Sequence, residues 1–194
     1  VGGATLAKTY TFTRGSYAID VKLAVSNQST APITPQVYLQ LVRDGNPPAG
    51  ESSFYFTFTG PAIYDDATKF HKIDFKDIEK RGANEKPSHP TLSDNGWVAM
   101  VQHYFASAWL LPDKQQREFY TRKVGTNEYA VGMLVPLPAL DAGQSRTLQA
   151  TLFVGPQEEN KLSAMAPGLE LVKDYGSRSS RSAASRRSRT SAWR

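Results

Sequence analysis

The chain has 194 residues, with 23 Lys+Arg against 18 Asp+Glu and a formal net charge of +5. Hydrophobic residues make up 40% of the chain, which is enough for a core and excludes disorder along the whole length. Cysteine is absent, so disulfide frameworks, thiolate catalysis and cysteine-ligated zinc are excluded. No apolar run approaches the roughly 20 residues that a transmembrane helix needs.

The net positive charge of the chain comes from its C-terminal segment. Residues 177–194 contain six arginines, seven serines and no acidic residue. Without them, 17 basic residues face 18 acidic ones, and a neutral body argues against a nucleic-acid-binding fold. Low complexity predicts that this segment is disordered, either as an RNA-binding or lipid-binding arm or as an extension foreign to the domain.

Apolar residues in the first half recur with a period of two, which predicts β-strands. Residues 17–26 place apolar side chains at every odd position, the pattern of a half-buried antiparallel strand. The preceding strand, 5–13, is connected to it through a tight turn at Arg14-Gly15-Ser16. Similar signals predict further strands at 36–42, 53–59, 69–75, 118–124, 129–135 and 145–154.

Residues 97–111 fit two structures. One helix face would carry Trp97, Val101, Tyr104 and Ala108, whereas two strands would need a one-residue bulge near His103. We favour the strands, because aromatic and β-branched residues cluster here among β neighbours.

Two long loops and one helix complete the pattern. The loops are predicted at 44–52 and 77–95, the second with a helical turn near 77–80. Good helix formers over 157–165, with Glu158 and Glu159 in the first turn, predict a short helix that Pro167-Gly168 ends. An apolar segment follows at 169–172. Nine or ten strands joined by hairpin turns predict an all-β antiparallel sandwich with this short C-terminal helix.

The sequence contains no recognisable catalytic or metal-binding motif. His71, His89 and His103 lack zinc-ligand spacing, and neither a nucleophile elbow nor a phosphate-binding glycine loop is present. We therefore predict no catalytic residue, no cofactor and no metal. The densest aromatic cluster contains Trp97, Tyr104, Phe105 and Trp109, and core packing is favoured over a carbohydrate-stacking or peptide-binding surface.

Several segments of the chain resemble segments of one known protein family and occur in the same order along the sequence. The segment 96–109, GWVAMVQHYFASAW, resembles a motif of the large periplasmic domain of the YidC membrane protein insertases of Gram-negative bacteria. Further matches are KTYTF with RGSYAI at 8–19, FTGPA at 58–62, LFVGP at 152–156 and APGLEL with VKDYG at 166–176. The resemblance covers roughly residues 5–176 and departs from the family at Ser177. We therefore divide the chain into a periplasmic domain, 1–176, without the family's opening strands, and a non-native tail, 177–194.

This resemblance implies a partial β-supersandwich like that of galactose mutarotase, on the periplasmic side of the bacterial inner membrane. It implies a non-catalytic role in insertion and folding of inner-membrane proteins. The implied partners are Sec translocon components, nascent inner-membrane proteins and the membrane-embedded remainder of the same protein, but not nucleic acid. The alternative function is a carbohydrate-binding or mutarotase-like enzyme, which would need a histidine such as His71 or His103 facing a carboxylate.

Two groups of residues are predicted to make these contacts. The partner face is placed around Tyr38, Leu39, Leu41 and the loop after Val42, where an added strand could pair with a sheet edge. The interface to the membrane part is placed at five apolar residues, which could equally close the domain's own core: Leu162, Met165, Leu169, Leu171 and Val172. Unpaired edges also predict that the isolated chain associates or is poorly soluble.

Overall fold

The computed structural model describes residues 3–48, 57–82 and 84–173. These ranges contain eleven strands, two short α-helices and one 3-10 helix. The strands are β1 (Ala4–Phe12), β2 (Ala18–Asn27), β3 (Gln36–Asp44), β4 (Gly60–Asp65), β5 (Lys69–Lys72), β6 (Leu92–Ser93), β7 (Trp97–Val101), β8 (Phe105–Leu110), β9 (Arg117–Gly125), β10 (Glu128–Pro136) and β11 (Ser145–Pro156). The helices are α1 (Phe75–Lys80), α2 (Glu159–Met165) and the 3-10 helix (Leu169–Val172).

The strands form two antiparallel sheets. The large sheet has the order β1-β2-β11-β8-β7-β4-β5, and the small sheet has the order β3-β10-β9-β6. This arrangement confirms the all-β antiparallel sandwich with a short C-terminal helix. Among the described residues, no helix has the length and hydropathy of a membrane span.

The main core lies between the two sheets and follows the period-two pattern of the strands. On β2, Val21, Leu23 and Val25 are buried, whereas the residues between them are exposed or half-buried. The small sheet contributes Phe119 from β9 and Met133 from β10 to the same cluster. The alternation of apolar residues along these strands therefore predicts which face of each sheet packs into the main core.

A second apolar cluster covers the outer face of the large sheet. Small side chains on the central strands, such as Ala62, Ala99 and Ala108, let α2 and the 3-10 helix approach the sheet closely. Both faces of β4 and β7 are consequently buried. A strand buried on both faces shows no alternation in its sequence.

The segment 97–111 forms two strands, as favoured, but the predicted bulge near His103 is wrong. β7 and β8 pair antiparallel from Trp97 opposite Leu110 to Val101 opposite Ala106. The chain reverses at His103 and Tyr104, where the Gln102 amide donates to the Phe105 carbonyl at 2.9 Å. A two-residue turn, and not an inserted residue, thus joins the strands.

Of the predicted strand at 53–59, the part that the structure describes is not a strand. Residues 53–56 lie outside the described ranges, and 57–59 are not in a strand. The strand begins at Gly60 instead and runs to Asp65. Pro61 pairs with Met100 of β7, and its carbonyl accepts from the Ile73 amide just beyond β5 at 2.9 Å, so its missing amide lies on the β5 side, at the end of that pairing.

The predicted loops and tail have different outcomes. Within 77–95 the structure contains the end of α1, which includes the predicted helical turn, and the two-residue strand β6. Of the loop at 44–52, residues 49–52 lie outside the described ranges. The tail at 177–194 lies outside them as well, so its disorder and its foreign origin stay predictions.

Candidate interaction surfaces

The predicted partner face lies on β3, at one edge of the small sheet. The side chain of Tyr38 is 62% exposed, whereas Leu39 is buried in the main core and Leu41 is half-buried against it. Successive residues of a strand point to opposite faces, which separates Tyr38 from Leu39. Tyr38 is therefore the residue of this predicted set whose side chain is presented to solvent.

Two neighbours of Tyr38 extend its outward face. Val42 is 48% exposed and lies on the same side of the strand, with Gln40 between them. The Gln40 Oε1 accepts hydrogen bonds from the Tyr120 hydroxyl at 2.9 Å and the Arg122 guanidinium at 3.2 Å. Burial raises the pKa of Tyr120 above its ordinary value, so its hydroxyl stays a donor at neutral pH. We name Tyr38, Gln40 and Val42 the β3 face.

The backbone edge of β3 is partly occupied by side chains. The Trp109 Nε1 donates to the Gln40 carbonyl at 3.2 Å, and the Arg43 Nε donates to the Asp44 carbonyl at 2.9 Å. The Gly45 amide donates to the Asn127 carbonyl, so in this register the odd-numbered residues of β3 direct their amides and carbonyls toward β10. The carbonyls of the even-numbered residues Gln40 and Asp44 therefore point away from β10. An added strand would have to displace both donors. The β3 face is consequently better suited to side-chain contacts than to strand addition.

The predicted membrane-side interface lies on α2 and the 3-10 helix. Leu162, Leu169 and Val172 are fully buried in the second cluster, with Met165 half-buried against it. Leu171 is 44% exposed on the opposite side of the 3-10 helix. Three of the five residues thus close the chain's own core, and Leu171 is the one most available to a partner.

A tight contact fixes the segment between α2 and the 3-10 helix. The Trp97 Nε1 donates to the Pro167 carbonyl at 2.9 Å, and Tyr64 stacks on Trp97 with ring centroids 5.6 Å apart. Gly168 has a φ of +72°, and a Cβ added there would lie 2.3 Å from the Tyr64 ring. Glycine is needed at this position both for its backbone conformation and for the approach of the ring.

The three histidines lie in separate environments. His89 is buried, with Nε2 2.9 Å from Thr121 Oγ1 and Nδ1 2.8 Å from the Pro90 carbonyl, and burial lowers its pKa. His103 contacts Thr57 and the Tyr104 ring beside the β7–β8 turn. His71 lies on β5 with its Nε2 buried. Across the described residues, no group of three His, Asp or Glu side chains could hold a metal ion.

Arg117 is a buried cation that sequence reasoning missed. Its guanidinium donates to the carbonyls of Gly96 at 2.6 Å, Pro112 at 2.5 Å, Gln115 at 2.9 Å and Asp94 at 3.2 Å. Burial lowers its pKa to about 10, with the charges of Asp113 and Asp94 acting in the opposite direction. The side chain therefore stays charged at neutral pH and ties the loop before β7 to the loop before β9.

A groove of about 660 Å³ lies on the outer face of the large sheet beside α2. Thr11, Asp20 and Thr151 form one row across its floor, and Met165 belongs to its wall. The described lining of this groove contains no histidine. The site that a mutarotase-like reaction would require, a histidine facing a carboxylate, is thus not assembled by these lining residues.

A family model described as the YidC periplasmic domain matches residues 1–179. The chain belongs to the YidC periplasmic domain family. The match includes the motif at 96–109, which forms β7, the two-residue turn and most of β8. The resemblance found in the sequence is thereby confirmed.

Curated relatives agree with this assignment. A membrane protein insertase YidC from Janthinobacterium sp. (strain Marseille) is 52% identical over 174 residues, which are 90% of this chain and 30% of that protein. The Burkholderia cenocepacia (strain HI2424) insertase is 54% identical over 175 residues, 90% of this chain and 31% of that protein. The chain thus spans about a third of the length of these YidC relatives.

Solved structures give weaker likenesses. A proposed aldose 1-epimerase of Escherichia coli K12 has a TM-score of 0.46 at 12% identity, over 79% of this chain and 61% of that one. A galactose mutarotase-like protein of Lactobacillus casei has a TM-score of 0.41 at 13% identity, over 78% and 63%. At these scores, nothing about the chemistry of the YidC periplasmic domain follows from them.

Proposed function

We propose that this chain is a non-catalytic docking domain of a membrane protein insertase on the periplasmic side of the bacterial inner membrane. In this role it assists insertion and folding of inner-membrane proteins by contacting Sec translocon components or nascent chains. It would act without cofactor, metal or nucleic acid. The match of residues 1–179 to the YidC periplasmic domain carries the proposal.

The β3 face is the surface we assign to the partner. Tyr38 presents an aromatic ring with a polar tip at a sheet edge, and such rings contribute much of the energy of protein interfaces. Beside it on the small sheet, the Arg122 guanidinium lies 4.9 Å from the centroid of the Tyr120 ring, and both side chains donate to Gln40 of the β3 face. Aromatic and arginine side chains on a rigid sheet favour contacts with another protein.

The second contact is with the membrane-embedded part of the insertase. Leu171 is exposed at the C-terminal end of the described chain, next to helices already fixed on the sandwich. Because Leu162, Leu169 and Val172 anchor this segment to the second cluster, Leu171 is held rigidly and could transmit the position of the sandwich to a partner.

A chimera tests the partner face. The matching segment of the Janthinobacterium insertase is replaced by this chain, and Tyr38→Lys is compared with Leu92→Lys. Leu92 is 72% exposed on β6, at the opposite edge of the same sheet, and is the matched control. Sec translocon components should co-purify with the chimera and with Leu92→Lys, and their yield should fall several-fold with Tyr38→Lys. Equal yields from both variants would contradict the assignment.

Titration calorimetry with monosaccharides separates this function from the carbohydrate-binding alternative. The docking role predicts no heat of binding with the purified chain. Millimolar or tighter binding that is lost on changing His103 would support the enzyme instead.

A further inference from the structure

The segment 84–91, between α1 and β6, lies along the outer edge of β9. The short strand β6 continues this segment and pairs antiparallel with the start of β9. In the same register Thr91 lies opposite Phe119, and the Phe119 amide donates to the Thr91 carbonyl at 2.8 Å. One step further along the register, His89 lies opposite Thr121. We name residues 84–91 the β9 strap, because they run along the side of β9 that faces away from β10.

The β9 strap is held by few hydrogen bonds. Pro87 and Pro90 have no amide to donate, so the segment cannot form a regular ladder. Between the strap and β9 the described structure has two hydrogen bonds, one at the Thr91 carbonyl and one between the side chains of His89 and Thr121. His89 is 5% exposed and is the buried side chain of the strap. The attachment of the strap therefore depends on this histidine.

The hydrogen-bond partners of His89 define where its proton lies. Nδ1 is 2.8 Å from the Pro90 carbonyl, which can only accept, so Nδ1 carries the proton. Nε2 of the neutral ring is then an acceptor, and the Thr121 hydroxyl, 2.9 Å away, donates to it. The same hydroxyl accepts from the Arg81 guanidinium at 2.9 Å, and a second nitrogen of Arg81 donates to the Thr121 carbonyl. Arg81, Thr121 and His89 thus form a relay in which every hydrogen bond runs in one direction.

A second proton on His89 is incompatible with this relay. A protonated Nε2 is a donor and would meet a hydroxyl that already directs its hydrogen toward the ring. The hydroxyl would have to turn this hydrogen away, yet Thr121 is buried and its hydroxyl has no other acceptor among the hydrogen bonds of the described residues. A buried donor without an acceptor costs free energy, so protonation disfavours the closed position of the ring.

The charges that face His89 act in the same direction. They belong to Arg81 at the end of α1 and to His71 on β5, whereas β9 presents the uncharged Thr121, and no carboxylate of the described chain acts on the ring. Burial lowers the pKa of His89 more than the hydrogen bond to the Pro90 carbonyl raises it, and the charges of Arg81 and His71 lower it further. The closed strap therefore favours the neutral imidazole.

We propose that the β9 strap is a segment released by acid, with His89 as its trigger. When His89 takes up a second proton, its ring separates from Thr121 and the strap leaves the edge of β9. β9 itself stays paired with β10. Release uncovers backbone groups on the outer edge of β9, including the Phe119 amide, which the closed strap satisfies. This device does not depend on the docking role of the β3 face.

Amide hydrogen exchange followed by NMR tests the release. The Phe119 amide reports on the strap, and the amides of β8, the middle strand of the large sheet, report on global unfolding. Exchange at Phe119 should not be accelerated by low concentrations of urea, because release exposes little surface, whereas exchange in β8 should be. Between about pH 7.5 and about pH 5, the protection factor of Phe119 should fall by up to about 30-fold, the limit for a group that titrates at 6.5 only after release.

Histidine variants identify the trigger. His89→Gln cannot take up a proton and should remove the pH dependence of the Phe119 protection factor. His103→Gln is the matched control, because it removes a histidine beside the β7–β8 turn and should leave that pH dependence unchanged. The imidazole NMR signals of the native chain give a second measurement that requires no variant. The titration midpoint of His89 should coincide with the midpoint of the loss of Phe119 protection.

A Phe119 protection factor that does not change with pH would overturn the proposal. So would a urea dependence at Phe119 equal to that in β8, because the strap would then leave only when the whole domain unfolds. A pH dependence that survives His89→Gln, or that His103→Gln also removes, would contradict the role of His89. A His89 titration midpoint different from that of the release would contradict it as well.

Discussion

Truncating Leu162 tests whether this residue belongs to the core of the domain and not to an interface with a partner. Its side chain is fully buried between α2 and the large sheet, in the same cluster as Trp97 and Phe153. Leu162→Ala removes this packing and leaves a cavity, which typically costs about 3 kcal/mol. For a domain of this size, that loss lowers the unfolding temperature by roughly 6–12 °C.

The matched control is Leu171→Ala in the 3-10 helix. Leu171 is 44% exposed, so the same truncation should change the free energy of unfolding by about 0.5 kcal/mol or less. Urea unfolding followed by tryptophan fluorescence measures both variants against the native chain. Equal losses of stability, or a negligible loss for Leu162→Ala, would refute the packing of α2 on the sheet.

Three further predictions concern stability. Gly168→Ala should cost more than Gly143→Ala in calorimetry, because both glycines have positive φ but only at Gly168 does the new Cβ meet the Tyr64 ring; equal costs would contradict the contact. Arg117→Met leaves four carbonyls without their donor and should cost at least about 3 kcal/mol in urea unfolding, against about 0.5 kcal/mol for exposed Arg122→Met. Burial lowers the pKa of His89 below its ordinary 6.5, so near and below that pH the unfolded state binds more protons and the free energy of unfolding falls as the pH falls. His89→Gln should flatten this dependence of the unfolding free energy on pH. An unchanged dependence would exclude His89 as its source.

The alternation of apolar residues was sufficient to predict the half-buried strands. It located β1, β2, β9 and β10 to within about two residues, because their two faces differ in environment. It missed β4, which is buried on both faces and begins with Gly60-Pro61, a pair that resembles a turn. A period-two pattern therefore identifies a strand only where one of its faces is exposed to solvent.

The candidate surfaces were less predictable, because they depend on how the sheets are layered. Alternation along β3 could have separated Tyr38 from Leu39 in the sequence alone. The exposure of Leu6, Tyr10 and Phe12 could not be foreseen, since their pattern is that of a half-buried strand. The carbonyls around Arg117 come from separate loops, so their convergence was equally hidden.

Site-specific photo-cross-linking tests the docking role most directly. A photoreactive amino acid replaces Tyr38 in the insertase chimera, and a second sample carries it at Leu92 on the opposite edge of the small sheet. During synthesis of an inner-membrane protein in membrane vesicles, Tyr38 should form adducts with a Sec translocon component or with the nascent chain, well above those at Leu92. Equal labelling at both positions, or none at Tyr38, would contradict the assignment of the β3 face as a docking surface.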